Sequence, residues 1–125
     1  MHPQRDTRQR RAIRAVFLDV AGPLTPDDVL ERAQAHAPTL GLATVYRNVK
    51  ILAEKGWLTE VELPGSGMRY ELAARPHHHH FMCRACEKAF DIHRCPEAVE
   101  DLAPEGFEVD DHEVILFGRC PACCT

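Results

Sequence analysis

Hydrophobic residues in the first half of the chain recur at helical spacing in three consecutive segments. The segments run from Thr7 to about Val20, from Pro26 to about Ala37, and from Val45 to Lys55. Apolar residues three, four and seven positions apart are typical of a helix that buries one face. The pattern therefore predicts three amphipathic helices in succession.

Start and stop signals flank the second and third of these helices. Thr25 can cap the second helix, Pro26 suits its first turn, and the carboxylates of Asp27 and Asp28 favour its positive end. Gly56 ends the third helix, because glycine readily adopts the left-handed conformation that follows a helix.

Two short runs of strand-forming residues come next. They cover Trp57–Leu63 and Met68–Leu72, and the turn-rich sequence Pro64–Gly67 between them predicts a β-hairpin. Three helices followed by a hairpin predict a winged helix-turn-helix domain, which we place at residues 1–73. The alternative is a small α+β domain whose third helix only packs against the others.

The third helix carries polar residues opposite its apolar stripe of Val45, Val49 and Leu52. An aromatic residue and two cations on the exposed face of a short helix are typical of a helix that reads DNA. An arginine cluster between Arg5 and Arg14 would add a salt-sensitive attraction to phosphates. The candidate DNA-binding residues are therefore Arg10, Arg11, Thr44, Tyr46, Arg47 and Lys50.

The second half of the chain alternates short apolar runs with polar turns. The pattern predicts a short helix over Pro96–Ala103 and strands over His77–Cys83, about Lys88–His93 and His112–Phe117. Val114–Phe117 is continuously apolar, as expected of a strand that is covered on both faces. We expect a second subunit to provide one cover, so residues 77–125 are predicted to form a small α/β dimerisation domain.

Two cysteine pairs of the C-x₂-C type frame this second half. The pairs are Cys83 with Cys86 and Cys120 with Cys123. Two such turns can direct four thiolates at one ion, which is the ligand set of a closed tetrahedral zinc site. A redox-active pair is the alternative, but neither pair has the strand-to-helix context of a thioredoxin motif. We therefore predict a structural Zn²⁺.

Four consecutive histidines, His77–His80, precede the first cysteine pair. In a strand, alternation sends His77 and His79 to one face and His78 and His80 to the other. A Cys₄ site has no room for a fifth ligand, so the histidines are predicted to serve other ions. An exposed polar run or an expression tag is the alternative, but this run is internal.

The composition allows two small domains in 125 residues, with a net charge of −4 and six cysteines. The N-terminal sequence has no apolar segment typical of a secretory signal, and no stretch reaches membrane-spanning length. A reducing cytoplasm is therefore expected, with the cysteines serving as ligands rather than as disulfides.

The chain resembles the ferric uptake regulator family of bacterial metal-dependent repressors over essentially its whole length. The motifs that carry the resemblance occur in the family's order: Thr7–Arg10, Gly41–Arg47, Tyr70–Leu72, His77–His80 with Cys83 and Cys86, and Cys120 with Cys123. The resemblance implies a homodimeric repressor, not an enzyme, with an N-terminal winged-helix domain and a C-terminal dimerisation domain. Its expected partner is a double-stranded DNA operator that is AT-rich and palindromic.

The resemblance implies two sites for a regulatory ion of Fe²⁺, Zn²⁺ or Mn²⁺ in addition to the structural Zn²⁺. The first site, at the hinge between the domains, is assigned to Glu71, His78 and His80. Iron-type members of the family usually add a histidine where this chain has Pro23. Glu60 or Glu62, both on the first strand of the hairpin, could substitute, and we assign Glu60.

The second implied site lies inside the dimerisation domain. It is assigned to His77, His79 and His112, with Glu97 as the carboxylate ligand. Glu100 and Cys95 are alternatives to Glu97, and Asp91 is expected nearby.

Three other functions are alternatives to a repressor of metal-uptake genes. A peroxide-responsive regulator of the same family would share much of the same ligand set. A metal carrier rich in histidine and cysteine is disfavoured, because it would not need the arginine cluster or the exposed Tyr46 and Arg47. A zinc hydrolase is disfavoured because the chain has no H-E-x-x-H motif.

Overall fold

The computed structural model describes the chain from residue 3 to residue 124, with side chains from residue 8 onward. The chain divides after Arg75 into two compact units. None of the described helices is long and apolar enough to cross a membrane. The side chain of Arg5, part of the predicted arginine cluster, lies outside the described residues.

The N-terminal unit contains three helices followed by a two-stranded antiparallel hairpin, which confirms the predicted order of elements. The helices are α1 (Pro3–Asp19), α2 (Pro26–Ala33) and α3 (Leu42–Glu54), and the strands are β1 (Leu58–Leu63) and β2 (Gly67–Leu72). Gly56 follows α3 with a φ of +82°, the left-handed conformation predicted for a residue that ends a helix.

The start of α2 is fixed by the predicted cap. The Thr25 hydroxyl accepts a hydrogen bond from the Asp28 N–H, and Asp28 Oδ2 accepts one from the Thr25 N–H, both at 3.1 Å. The helix ends at Ala33, earlier than the predicted Ala37. A turn over residues 34–36 follows it, and the Gln34 side chain donates to the Leu40 carbonyl at 3.1 Å.

The core of the N-terminal unit is formed by apolar side chains from every helix and from the hairpin. Ile13, Val29, Val45 and Val49 have no exposed surface. The segment after Pro23 is tied to the hairpin, because the Leu24 and Tyr70 backbones exchange two hydrogen bonds of 2.8 Å. This core fixes which face of α3 points to solvent. The buried residues of the core are Ala12, Ile13, Val16, Phe17, Leu24, Val29, Ala33, Ala37, Leu40, Val45, Val49, Leu58 and Tyr70.

The C-terminal unit is built on a three-stranded sheet in the order β4-β3-β5. The strands are β3 (His79–Cys83), β4 (Ala89–Ile92) and β5 (Ile115–Gly118), each within the range predicted for it or one residue beyond. β3 pairs antiparallel with β4 and parallel with β5. The centre of the sheet is therefore the strand that enters the first cysteine pair.

The helix predicted over Pro96–Ala103 is shorter than expected. Only a 3₁₀ turn forms, over Val99–Leu102, and Ala98 before it has a φ of +58°. A non-glycine residue in that left-handed region cannot continue a right-handed helix backwards toward Pro96.

The apolar strand β5 is not covered on both faces within one chain. Leu116 is 50% exposed and Phe117 is 37% exposed, although cover on both faces was predicted. The cover that we expected from a second subunit remains a prediction.

Candidate metal centres and nucleic-acid face

The four cysteines predicted to bind zinc come together at one end of the C-terminal sheet. Cys83 ends β3 and lies in register with Gly118 at the end of β5, so both C-x₂-C turns leave the sheet on the same side. The four sulfur atoms lie within 4.8 Å of one another. Cys86 Sγ and Cys120 Sγ are 3.8 Å apart. That distance fits tetrahedral zinc, whose bonds of about 2.3 Å place two sulfurs about 3.8 Å apart.

Hydrogen bonds and burial give these four sulfurs unequal acidities. Cys83 Sγ accepts hydrogen bonds of 3.4 Å from the Cys86 and Cys120 N–H groups, which lower its pKa to about 6. The pKa of Cys123 is raised to about 12 by its hydrogen bond to Cys120 and by burial. One thiolate is therefore present at neutral pH, while close packing of sulfurs opposes ionisation of all four without a cation.

A second cluster lies on one face of β3 and includes three histidines and a cysteine. Ligand atoms of His77, His79, Cys95 and His112 lie within 4.8 Å of one another. His79 is 1% exposed, and its Nδ1 accepts a hydrogen bond from the Val114 N–H at 3.1 Å. Burial, followed by the neighbouring imidazoles of His77 and His112, lowers the pKa of His79. A neutral imidazole is the form that metals bind.

A third cluster lies on the opposite face of β3. His78 Nε2 and His80 Nε2 are each 3.9 Å from Asp91 Oδ1. Asp91 reaches this position because it is the register partner of His80 in the antiparallel β3–β4 pair. His78 Nδ1 is 2.8 Å from the Pro76 carbonyl, so the neutral ring carries its proton there and presents the Nε2 lone pair toward Asp91.

The structure places several predicted ligands differently from the sequence analysis. Glu97 does not lie in the cluster with His77, His79 and His112, whereas the alternative Cys95 does, with its sulfur in contact with two of the rings. Glu100 lies at the edge of that cluster, 3.4 Å from His112 Nδ1. Asp91, which was expected near this cluster, lies with His78 and His80 instead.

The two glutamates predicted for the hinge site belong to the N-terminal unit. Glu60 is exposed on β1. Glu71 is buried on β2, and its carboxylate lies 4.0 Å from the Arg75 guanidinium. Their part in a metal site stays a prediction. The register of β4 against β3 is the signal that would have assigned Asp91, but sequence alone does not give that register.

The candidate DNA-binding residues form a polar face on α3 opposite the buried Val45 and Val49. Tyr46 is 50% exposed, and Arg47 and Lys50 are exposed beside it. The Arg47 guanidinium donates to the Thr44 hydroxyl at 3.1 Å, which holds the arginine against its own helix. Arg10 and Arg11 are exposed on α1.

Comparisons with known proteins agree with this architecture. The chain is 30% identical over 122 residues to the peroxide operon regulator of Bacillus subtilis, covering 95% of this chain and 83% of that protein. It is also 30% identical over 122 residues to the ferric uptake regulation protein of Campylobacter jejuni, covering 94% of this chain and 78% of the relative.

Solved structures of regulators with the same fold superpose on this chain. A zinc-bound manganese uptake regulator superposes with a TM-score of 0.81 at 27% identity, covering 90% of this chain and 87% of the other. The iron-containing ferric uptake regulator of Francisella tularensis gives 0.70 at 27% identity, covering 92% and 90% of the two chains. The sequence model of the ferric uptake regulator family matches residues 3–117. The resemblance found in the motifs is thus confirmed, and the chain belongs to the ferric uptake regulator family of metal-responsive transcriptional regulators.

Proposed function

We propose that the protein is a homodimeric, cytoplasmic repressor that binds an AT-rich, palindromic operator when a regulatory ion is bound. The observation that carries the proposal is the alternation of His77–His80 across β3. It creates two separate histidine clusters beside the Cys₄ cluster. Three ligand sets in one small unit exceed what a purely structural role requires.

Each cluster has a donor set suited to a metal ion. The Cys₄ set fits structural Zn²⁺, and the histidine clusters fit Fe²⁺, Mn²⁺ or Zn²⁺ as a regulatory ion. When bound, such an ion supplies positive charge that holds several lone-pair donors in one place. The chain contributes the orientation: strand pairing positions His80 against Asp91, and the Pro76 carbonyl sets the tautomer of His78.

The regulatory step is proposed to act on the linker that follows β2. His78 and His80 lie close to the start of the C-terminal unit, and Glu71 is the penultimate residue of the hairpin in the N-terminal unit. We propose that Glu71, with Glu60 as a further candidate, shares an ion with His78 and His80. Such a link would favour one orientation of the two units, so metal binding and operator binding would strengthen each other equally.

DNA contact is assigned to the exposed face of α3 and to the arginines of α1. Arg47 and Tyr46 can reach base edges or the backbone, whereas Arg10 and Arg11 would add a sequence-independent term. The strand β5 is proposed to form part of the dimer interface, because its apolar residues Leu116 and Phe117, which point to opposite faces of the sheet, are both partly exposed in one chain.

The test combines elemental analysis with DNA binding in the presence and absence of added Fe²⁺, Mn²⁺ or Zn²⁺. We expect His80→Ala to lose metal-stimulated binding to AT-rich promoter DNA while one zinc per chain remains. His36→Ala is the matched control, because His36 is an exposed histidine outside the three clusters. A full metal response in His80→Ala would move the sensor to the cluster around His79.

The same assay tests whether α3 contacts DNA. We expect Arg47→Ala to lose about 1–3 kcal/mol of operator affinity with its metal content unchanged. Arg94→Ala, which removes an exposed arginine from the C-terminal unit, should leave operator affinity unchanged. Equal affinities for both variants would exclude α3 as the element that contacts DNA.

A peroxide-responsive regulator is the second candidate, because a relative with 30% identity is a peroxide operon regulator. The two functions differ in the signal that ends DNA binding. Metal-loaded protein on DNA should resist hydrogen peroxide if it only senses metal, and should dissociate and show an added oxygen mass if it senses peroxide.

A further inference from the structure

Cys95 lies among three histidine rings on one face of the C-terminal sheet. Its Sγ is 3.3 Å from His79 Nε2 and 3.7 Å from His112 Nε2. His77 Nε2 in turn is 3.2 Å from His112 Nε2. These contacts place one sulfur and three ring nitrogens next to one another. The residues that contribute them span 35 positions in the sequence.

The separations match those of a tetrahedral ion site. Zinc bonds of about 2.0–2.1 Å to nitrogen and about 2.3 Å to sulfur place two nitrogens about 3.3 Å apart and a nitrogen and a sulfur about 3.6 Å apart. The observed distances of 3.2, 3.3 and 3.7 Å bracket these values. The spacing of these donor atoms is therefore the spacing that one ion requires.

We propose that Cys95 is a metal ligand, and that its thiolate makes the cluster with His77, His79 and His112 selective for Zn²⁺ over Fe²⁺ and Mn²⁺. Thiolate and imidazole donors favour zinc, whereas Mn²⁺ favours oxygen donors. No carboxylate of the described residues joins this cluster as a ligand. The inference rests on the proposed function for its regulatory meaning, and it specifies which ion this cluster binds.

Glu100 supports the histidine side of this site. Its carboxylate is 3.4 Å from His112 Nδ1, the ring nitrogen that points away from Cys95. A carboxylate on the second nitrogen of a ligating histidine fixes the tautomer and raises the basicity of the ring. His112 is therefore oriented with its Nε2 lone pair toward the cluster.

In His79, a backbone hydrogen bond determines which ring nitrogen carries the proton. Its Nδ1 accepts from the Val114 N–H, so the neutral ring carries its proton on Nε2, where it can donate to the Cys95 sulfur. For an ion to bind the neutral ring at Nε2, that proton must move to Nδ1, which can then no longer accept from the Val114 N–H. We therefore expect His79→Ala to weaken zinc binding less than Cys95→Ser does.

The experiment measures alkylation of individual cysteines by mass spectrometry in the full-length protein that already carries its Cys₄ zinc. Cys95 and Cys124 are both exposed, and Cys124 belongs to none of the clusters, so it is an internal control. Added Zn²⁺ should slow alkylation of Cys95 by at least about tenfold and leave Cys124 unchanged. Added Mn²⁺ should protect neither.

The second measurement is the zinc affinity of cysteine variants. Competition with a chromophoric chelator should show that Cys95→Ser weakens binding of the added zinc by more than about 100-fold, since even outer-shell losses cost 10–100-fold. Cys124→Ser should bind it like the wild type. Unchanged zinc affinity in Cys95→Ser, or equal alkylation of Cys95 with and without bound zinc, would overturn the assignment. Protection by Mn²⁺ equal to that by Zn²⁺ would overturn the selectivity.

DNA binding measured on the same samples separates this inference from the proposed function. Unprotected Cys95 together with metal-dependent DNA binding would overturn only the ligand assignment. Protected Cys95 together with DNA binding that ignores metal would overturn only the proposed metal control.

Discussion

The two units of this chain bury different kinds of side chain. The N-terminal unit buries a continuous apolar core to which all three helices and the hairpin contribute. Among the described residues of the C-terminal unit, the buried side chains are Met82, His79, His80, Cys83 and Cys120. Four of those five are candidate metal ligands. The N-terminal unit is thus stabilised by hydrophobic packing, whereas most of the buried side chains of the C-terminal unit are candidate metal ligands.

The difference implies that metal and folding are coupled in one unit only. A domain of this size rarely obtains more than about 3–5 kcal/mol from its hydrophobic core. Structural zinc contributes about 10–16 kcal/mol in small zinc domains near neutral pH. Loss of the structural zinc is therefore expected to unfold the C-terminal unit and to leave the apolar core behind α3 intact.

The largest expected effect follows from removing the structural zinc. We expect Cys83→Ser to lose zinc and to unfold the C-terminal unit, because Cys83 is fully buried and supplies the thiolate that the Cys86 and Cys120 N–H groups stabilise. Zinc content and limited proteolysis of the full chain measure both effects. Trp57, the single tryptophan, lies in the N-terminal unit and reports whether that unit remains folded.

Cys124→Ser is the control for this variant, since Cys124 is exposed beside the ligand turn. It should keep its zinc and its resistance to proteolysis. A zinc-free Cys83→Ser protein with an intact C-terminal unit would contradict the contrast between the two units.

The second expected effect concerns the apolar core. Ile13→Ala should lower the unfolding free energy of the N-terminal unit by about 2–5 kcal/mol, because it leaves a cavity beneath α1. Leu18→Ala, on the same helix but 67% exposed, should cost far less. Denaturant unfolding followed by Trp57 fluorescence measures both variants, and zinc content should not change in either. Loss of zinc in Ile13→Ala would show that the units do not fold independently.

Features that depend on residues close together in the chain were predicted correctly. The cap formed by Thr25 and Asp28, the end of α3 before Gly56, and the alternation of the four histidines all follow from residues close together in the chain. These rules give the elements of the N-terminal unit and the two faces of β3. They also bring the two cysteine pairs together once β3 and β5 are neighbours.

Features that depend on contacts between distant segments of the chain could not be predicted from the sequence. The choice between Glu97 and Cys95 depends on the path of the chain after β4, which has no periodic pattern. The place of Asp91 depends on the register between β3 and β4. The helix predicted over Pro96–Ala103 shortens to one 3₁₀ turn because Ala98 adopts a left-handed conformation that the sequence does not signal.

The smallest predicted effect is the contribution of the Thr25 helix cap to the stability of the N-terminal unit. The Thr25 hydroxyl accepts from the Asp28 N–H, and Asp28 Oδ2 in turn lies 3.6 Å from the guanidinium of buried Arg69. Thr25→Ala should lower the unfolding free energy of the N-terminal unit by about 1 kcal/mol, the usual cost of losing a helix cap. Thr39→Ala, in an exposed turn, should change it by less than about 0.5 kcal/mol. Denaturant unfolding followed by Trp57 fluorescence resolves the two. Because the hydrophobic core carries most of the stability, metal content and DNA binding should be unchanged in both variants, and a loss well above 2 kcal/mol would mean that the Asp28–Arg69 pair depends on the cap.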